Sequence, residues 1–303
     1  MTSQQTNVVL RSALFLKKRF APFIPTLVVW FVAIDVLVQE AMGARDVHLS
    51  AATLFGTATA FCLIAVMRTT DEIKDIETDR AYFPDRPLVI GEISLAEVRM
   101  ITWALIAIAV MLNLSWPLVL GEFALGLVFL FLMVVWYFAP GVVSKNRLLA
   151  ITSNCPAFFF ICLQQAQFTA RASGLSGPAW VPAAVSGLTL LPLLSFEFAR
   201  KTFLPADEMP GYQSYSVQLG LEGATGMAVL FAAAHLAGLY VLYINTPASS
   251  AWVVAGHALI LLGYVIAAVR VVQRKQGSTY AFIQASNLYF VGGMLLSVVH
   301  GLA

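Results

Sequence analysis

Residues 71–79 read DEIKDIETD, and Arg80, Arg86-Pro87-Leu88 and Gly91 follow. The stretch sets five carboxylates in nine residues of a chain whose charged fraction is only 11%, and it begins where a long apolar run ends. On a helix, Asp71, Asp75 and Asp79 stand at i, i+4 and i+8, one turn apart on a single face. Glu72 borders that face and Glu77 points elsewhere. Like charges at this spacing destabilise a bare helix, so the stack calls for a cation between the carboxylates. A hard divalent ion such as Mg²⁺ suits it, because Mg²⁺ takes one or two carboxylates together with phosphate oxygens. The plainer reading, an acidic loop that keeps a span end in water, predicts no fixed spacing.

Working outward, 59% of the 303 residues are apolar and the mean hydropathy is +0.82. Soluble domains sit nearer ~45–50% apolar, so the chain reads as an integral membrane protein in the lipid bilayer. Cys62, Cys155 and Cys162 all lie in apolar runs without metal-type spacing and read as small core residues. No cleavable leader is expected, since residues 1–19 are polar or basic and the first apolar run is long enough to span. Neither a nucleic-acid partner nor an obligatory protein partner is indicated.

Residues 8–20 mix apolar side chains with Arg11, Lys17, Lys18 and Arg19, which suits a short helix in the membrane interface. Nine apolar runs long enough to span follow, at 21–42, 50–68, 97–118, 121–140, 148–168, 178–200, 222–243, 251–272 and 283–302. Lipid tolerates only backbone that satisfies itself, so these predict an all-α bundle of nine transmembrane helices enclosing a central chamber. Of the 18 Lys and Arg residues, only Arg45 and Arg171 fall on the side opposite the rest. The positive-inside rule therefore predicts a cytoplasmic N-terminus, cytoplasmic polar loops after helices two and six, and a C-terminus outside. A bacterial inner membrane is the expected location. The second loop, Glu197 to Gly220, reads EFARKTFLPADEMPGYQSYSVQLG. Its placement suggests one domain over residues 1–303 with parallel pseudo-halves of about 1–145 and 146–303. Broken midplane segments of the inverted-repeat transporter kind are not evident, although Pro156 and Pro192 can kink their helices.

At these residues the chain resembles the UbiA superfamily of intramembrane prenyltransferases. DIETDRAYFPDRPLVIGEIS, residues 75–94, fits that family's first motif. The motif usually opens Asn-Asp, and here Asp71-Glu72 stands at the opening pair. The second motif of the family carries D-x-x-x-D before a Gly, a Ser or Thr and an (R/Q)-L-G close. Gly211, Ser214 and Gln218-Leu219-Gly220 match that tail, Asp207 takes the second acidic position and Phe203 occupies the first. Glu197 and Glu208 are candidates for the missing oxygens. Glu197 also stands three and four residues before Arg200 and Lys201, where an ordinary helix ion pair would form, as would be ordinary for Glu208.

The resemblance implies an allylic prenyl diphosphate as donor, a hydrophobic acceptor and Mg²⁺ as cofactor. It points to Asp71, Asp75, Asp79 and Asp207 as catalytic metal ligands, joined by Glu72 and Glu197. Arg68, Lys74, Lys145, Arg147, Arg200 and Lys201 could reach the diphosphate, against the plain role of basic span ends in setting topology. Tyr137 precedes Lys145 at the end of span four, as in many members of the family, and Asn154 is a candidate chamber residue. Phe158, Phe159, Phe160 and Phe168 could face a carbocation, though such aromatics more often pack. Gln164, Gln165 and Gln167 need partners if buried. Asp35, His235 and His257 are polar residues within spans, read as helix contacts or, for Asp35, as a possible acceptor contact. Three functions follow: prenyl transfer to an aromatic or quinone-precursor acceptor, cyclisation of the prenyl diphosphate by a UbiA-type terpene cyclase, and, remotely, non-catalytic lipid transport or binding.

Overall fold

The computed structural model describes residues 7–247, 250–275 and 278–303, so the first six residues of the polar N-terminal segment lie outside it. The short α1 (Val8–Arg19) starts at Asn7, whose side chain accepts from the Val9 N–H, and ends in Lys17, Lys18 and Arg19, which favour the negative pole of the helix. Three ion pairs tie it to later segments: Arg11 with Glu97, Lys18 with Glu92 and Arg19 with Glu72.

A 3₁₀ turn with Pro22 leads into α2 (Ile24–Ala41). The Ser50/Thr53 capping box opens α3 (Ala51–Lys74), and α4 (Ile76–Tyr82) continues the acidic stretch. A second capping box, Ser94 with Glu97, opens α5 (Leu95–Ser115) after the Arg-Pro-Leu turn. Then come α6 (Leu120–Val134), α7 (Pro140–Val143), α8 (Arg147–Ala172) and α9 (Val181–Arg200). The last four are α10 (Tyr215–Ile244), α11 (Ala251–Arg274), α12 (Tyr280–Asn287) and α13 (Gly293–Leu302), the final pair joined by a π-helical turn. No strand occurs among the described residues.

Among the described residues eight helical stretches are long and apolar enough to cross a membrane, and α6, at 15 residues, is shorter. The apolar run at 121–140 is not one helix, because Trp136, Tyr137 and Phe138 all adopt left-handed backbone, with φ of 51°, 52° and 58°, which ends α6 and turns the chain into α7. The run expected from 222 begins at a kink: Gly220, at φ 71° and ψ 164°, interrupts α10. Helix α10 packs on α9, α3 on α5, α6 on α8, and α2 on α13. One apolar core gathers Trp30, Phe31, Leu63, Met133, Ile161 and Phe290; another centres on Phe198, Tyr215, Tyr264 and Phe282.

Several buried polar residues within the spans are absorbed by this packing, whereas the buried side-chain amides of Gln164 and Gln165 find no hydrogen-bond partner in it. Asp35 accepts from Thr169 (2.5 Å), Thr53 (2.8 Å) and Gln39 (2.8 Å), a knot between α2, α3 and α8. His235 Nδ1 lies 2.9 Å from the Tyr289 hydroxyl, and His257 Nδ1 lies 2.9 Å from the Val253 carbonyl. These are helix-to-helix and helix-internal contacts, as buried polar groups require.

Candidate active site

The acidic stretch departs from a single straight helix at its centre. Asp75, at φ −95° and ψ 10°, separates α3 from α4, although its N–H still reaches the Asp71 carbonyl and its own carbonyl receives the Asp79 N–H, both at 2.8 Å. The three aspartates consequently meet different surroundings. Asp71 and Asp75 line a cavity of about 210 Å³. Asp79 is buried and bonded to Arg86 of the Arg-Pro-Leu turn. Glu72, also buried, is taken by Arg19 of α1.

Burial, reinforced by the neighbouring charges of Asp71 and Asp79, pushes the Asp75 carboxyl up to about 6. Lys74 and Arg147 oppose the shift. Asp71 has a partner, since Lys74 Nζ stands 2.9 Å from its Oδ1. The same ammonium lies 4.2 Å from the centre of the Trp136 ring, and both Lys74 and Trp136 line the cavity. Trp136 was hidden in the sequence inside an apolar run; its place depends on the left-handed corner, which no glycine announces.

Facing residues come from α8 and α9. Arg147, Asn154, Glu197, Arg200 and Lys201 line the same cavity, as does Arg68 of α3. Glu197 Oε1 holds Lys201 Nζ at 2.5 Å and its Oε2 accepts from Arg200 Nε at 2.6 Å. Burial pulls the Lys201 ammonium down to about 8, with Glu197 opposing and Arg200 and Arg147 adding to the shift. Arg147 donates from Nε to the Gln213 carbonyl at 3.0 Å. Beyond the charges, Trp30, Phe158, Phe196 and Phe290 give the cavity an apolar, aromatic lining.

The remaining expected residues lie elsewhere. The Tyr137 hydroxyl donates a hydrogen bond to the Ser153 carbonyl, Lys145 is exposed beyond α7 and Asp207 is exposed on the second loop; none of the three lines the cavity. Glu208 accepts from the Ser214 hydroxyl at 2.8 Å and from Ser216 at 2.5 Å. Phe203 donates its N–H to Ser216 Oγ at 2.8 Å, and its ring stands edge-on to Tyr212 with centroids 6.2 Å apart.

The two polar loops meet directly. The Tyr82 hydroxyl donates to the Pro210 carbonyl at 3.1 Å, and the rings of Tyr82 and Phe83 pack edge-on against Tyr212. Between them Gly211 has φ +82°, and a Cβ there would come within 2.6 Å of the Tyr82 oxygen. Both the backbone and the space demand glycine.

Among the described residues no three His, Cys, Asp or Glu side chains converge on a metal position. Two carboxylates on one wall, Asp71 and Asp75, nonetheless match what Mg²⁺ takes from protein when phosphate oxygens and water complete its shell. The lining cations Arg68, Lys74, Arg147, Arg200 and Lys201 outnumber the lining carboxylates Asp71, Asp75 and Glu197, a net charge of +2. A cavity that is cationic at one region and aromatic elsewhere can hold a phosphorylated, apolar molecule.

No curated protein matches the chain by sequence. A solved structure of a digeranylgeranylglyceryl phosphate synthase shares its fold, with a TM-score of 0.61 at 16% identity over 97% of this chain and 98% of that one. The model of the UbiA prenyltransferase family matches residues 24–291, most of the chain's length, and the protein belongs to that family.

Proposed function

We propose that the protein transfers a prenyl group from an allylic prenyl diphosphate to a hydrophobic acceptor, aromatic or quinone-precursor in kind, within the membrane and with Mg²⁺. The observation that carries this reading is the single cavity in which Asp71 and Asp75 face Arg147, Arg200 and Lys201 beside Trp30, Phe158, Phe196 and Phe290. Arg147, Arg200 and Lys201 bind the phosphates and favour the charge that grows on them as the allylic C–O bond breaks and diphosphate leaves with the electron pair. Glu197 fixes the direction of Arg200 and Lys201. Asp71 and Asp75 would hold Mg²⁺, which when bound neutralises charge on the leaving group. The aromatic walls exclude water from the allylic cation and face it with π-density. The acceptor's electron pair then bonds to the allylic carbon, and the proton it loses passes to the departed diphosphate.

In this reading the short α6 serves as a ninth span. The N-terminus and both polar loops are cytoplasmic, the C-terminus is outside, and the bilayer is a bacterial inner membrane. The whole chain is one domain whose two pseudo-halves each contribute a wall of the site.

The test is to incubate the purified protein with Mg²⁺ and geranyl, farnesyl or geranylgeranyl diphosphate, with and without a panel of aromatic acceptors, and to identify products by mass. A prenylated acceptor supports transfer. Cyclic hydrocarbon formed without acceptor establishes the cyclase instead, and an absence of diphosphate release under all conditions rejects both.

A further inference from the structure

The two walls of the cavity differ in what they leave available. On the first, among the described residues, Asp75 is half-buried with no ion-pair partner of its own, beside Asp71, whose Oδ1 is 2.9 Å from Lys74 while Oδ2 carries no ion pair. On the second, Glu197 already has a cation on each oxygen, Lys201 at 2.5 Å on Oε1 and Arg200 at 2.6 Å on Oε2. Glu208 is occupied by Ser214 and Ser216, and Asp207 is exposed outside the cavity. Phe203 is fastened by its N–H to Ser216 and packed on Tyr212. A divalent ion could recruit Glu197 or Glu208 only by displacing the cations or hydroxyls that hold them, and Asp207 only if the second loop moved to bring it into the cavity.

From this we infer that the site takes one divalent cation, on Asp71 and Asp75, and that Arg200 and Lys201, clamped by Glu197, neutralise the diphosphate on the opposite side where a second cation would otherwise act. The inference rests on the diphosphate-donor reading given under Proposed function. Two cations pinned to one carboxylate are ordered before substrate arrives, so little side-chain freedom remains to be lost on binding. Arg200 adds a planar fork suited to phosphate oxygens. Their partial burial strengthens each contact, because charge-assisted hydrogen bonds gain as water is excluded.

The test counts metal directly, with inorganic pyrophosphate as the probe. Mn²⁺ is titrated into the full-length protein in detergent with saturating pyrophosphate, and bound Mn²⁺ is read by electron paramagnetic resonance. One Mn²⁺ per chain without a spin-coupled pair is expected. Arg200→Met and Lys201→Met should keep the count at one while weakening pyrophosphate by about tenfold or more, the loss of a charge-assisted bond, and Lys201→Arg should restore most of the affinity. Phe203→Asp should leave the count at one. Two Mn²⁺ per chain, or pyrophosphate affinity unchanged in both Met variants, overturns the inference and leaves prenyl transfer standing. No Mn²⁺ bound with pyrophosphate overturns the metal-assisted reading itself, and the inference falls with it.

Discussion

The stretch that begins in the last turn of α3 and the stretch that begins in the last turn of α9 are both acidic in sequence and opposite in effect. The first delivers two carboxylates to the cavity, Asp71 and Asp75, and diverts Asp79 and Glu72 to Arg86 and Arg19. The second delivers Arg200 and Lys201 and spends Glu197 on holding them, while Glu208 and Asp207 stay outside. Counting acidic letters would make the loops equivalent. What separates them is how completely each carboxylate is taken up: Lys74 meets one oxygen of Asp71 and no ion pair reaches Asp75, whereas both oxygens of Glu197 carry a cation.

Substitutions at four positions test that contrast. Asp75→Asn should have the largest effect, lowering product formation by about a hundredfold or more, since it removes a carboxylate from the metal-binding wall at nearly constant shape; turnover within a few-fold of the native protein would dissolve the distinction between the walls. Lys201→Met should lower kcat/KM by about tenfold, with Lys201→Arg close to native. Rates equally close to native in the Met and Arg variants would show that length rather than charge is read. Gly211→Ala attacks the junction between the loops: it places a side chain at φ +82° and 2.6 Å from the Tyr82 oxygen. Strain of this kind costs about 1–3 kcal/mol, so the unfolding midpoint in detergent should fall, and an unchanged midpoint would show that the loops part easily. Asp207→Asn should matter least, within about twofold in rate, as for other exposed positions. A loss rivalling that of Asp75→Asn would bring the second loop's carboxylate into the site and make the walls alike.

Much of this was legible in the residues. The apolar runs locate the helices, because the hydrocarbon thickness fixes their length, and Asp71 with Asp75 could be read from their spacing. The rest depended on tertiary partners. Asp79 shares the helical spacing of Asp71 and Asp75, yet Arg86, seven residues on, takes it once the chain bends after α4. Glu72 is captured by Arg19, 53 positions earlier, a pairing no local pattern encodes. The corner at Trp136, Tyr137 and Phe138 was invisible for another reason: left-handed backbone ordinarily announces itself through glycine or asparagine, and three aromatic residues give no such sign. With that corner went Trp136 and its contact with Lys74.

The Tyr82–Pro210 bond also bears on how the protein is made. It joins residues 128 positions apart, so during synthesis the acidic loop is complete long before its partner leaves the ribosome. At about 5–20 residues per second, the wait lasts on the order of 6–25 s, through the insertion of several further helices. Over that interval Asp71 and Asp75 have neither Arg200 nor Lys201 opposite them, and the site closes only when the later half arrives. A nascent chain arrested before residue 200 would carry Arg147 of the facing wall but neither Arg200 nor Lys201.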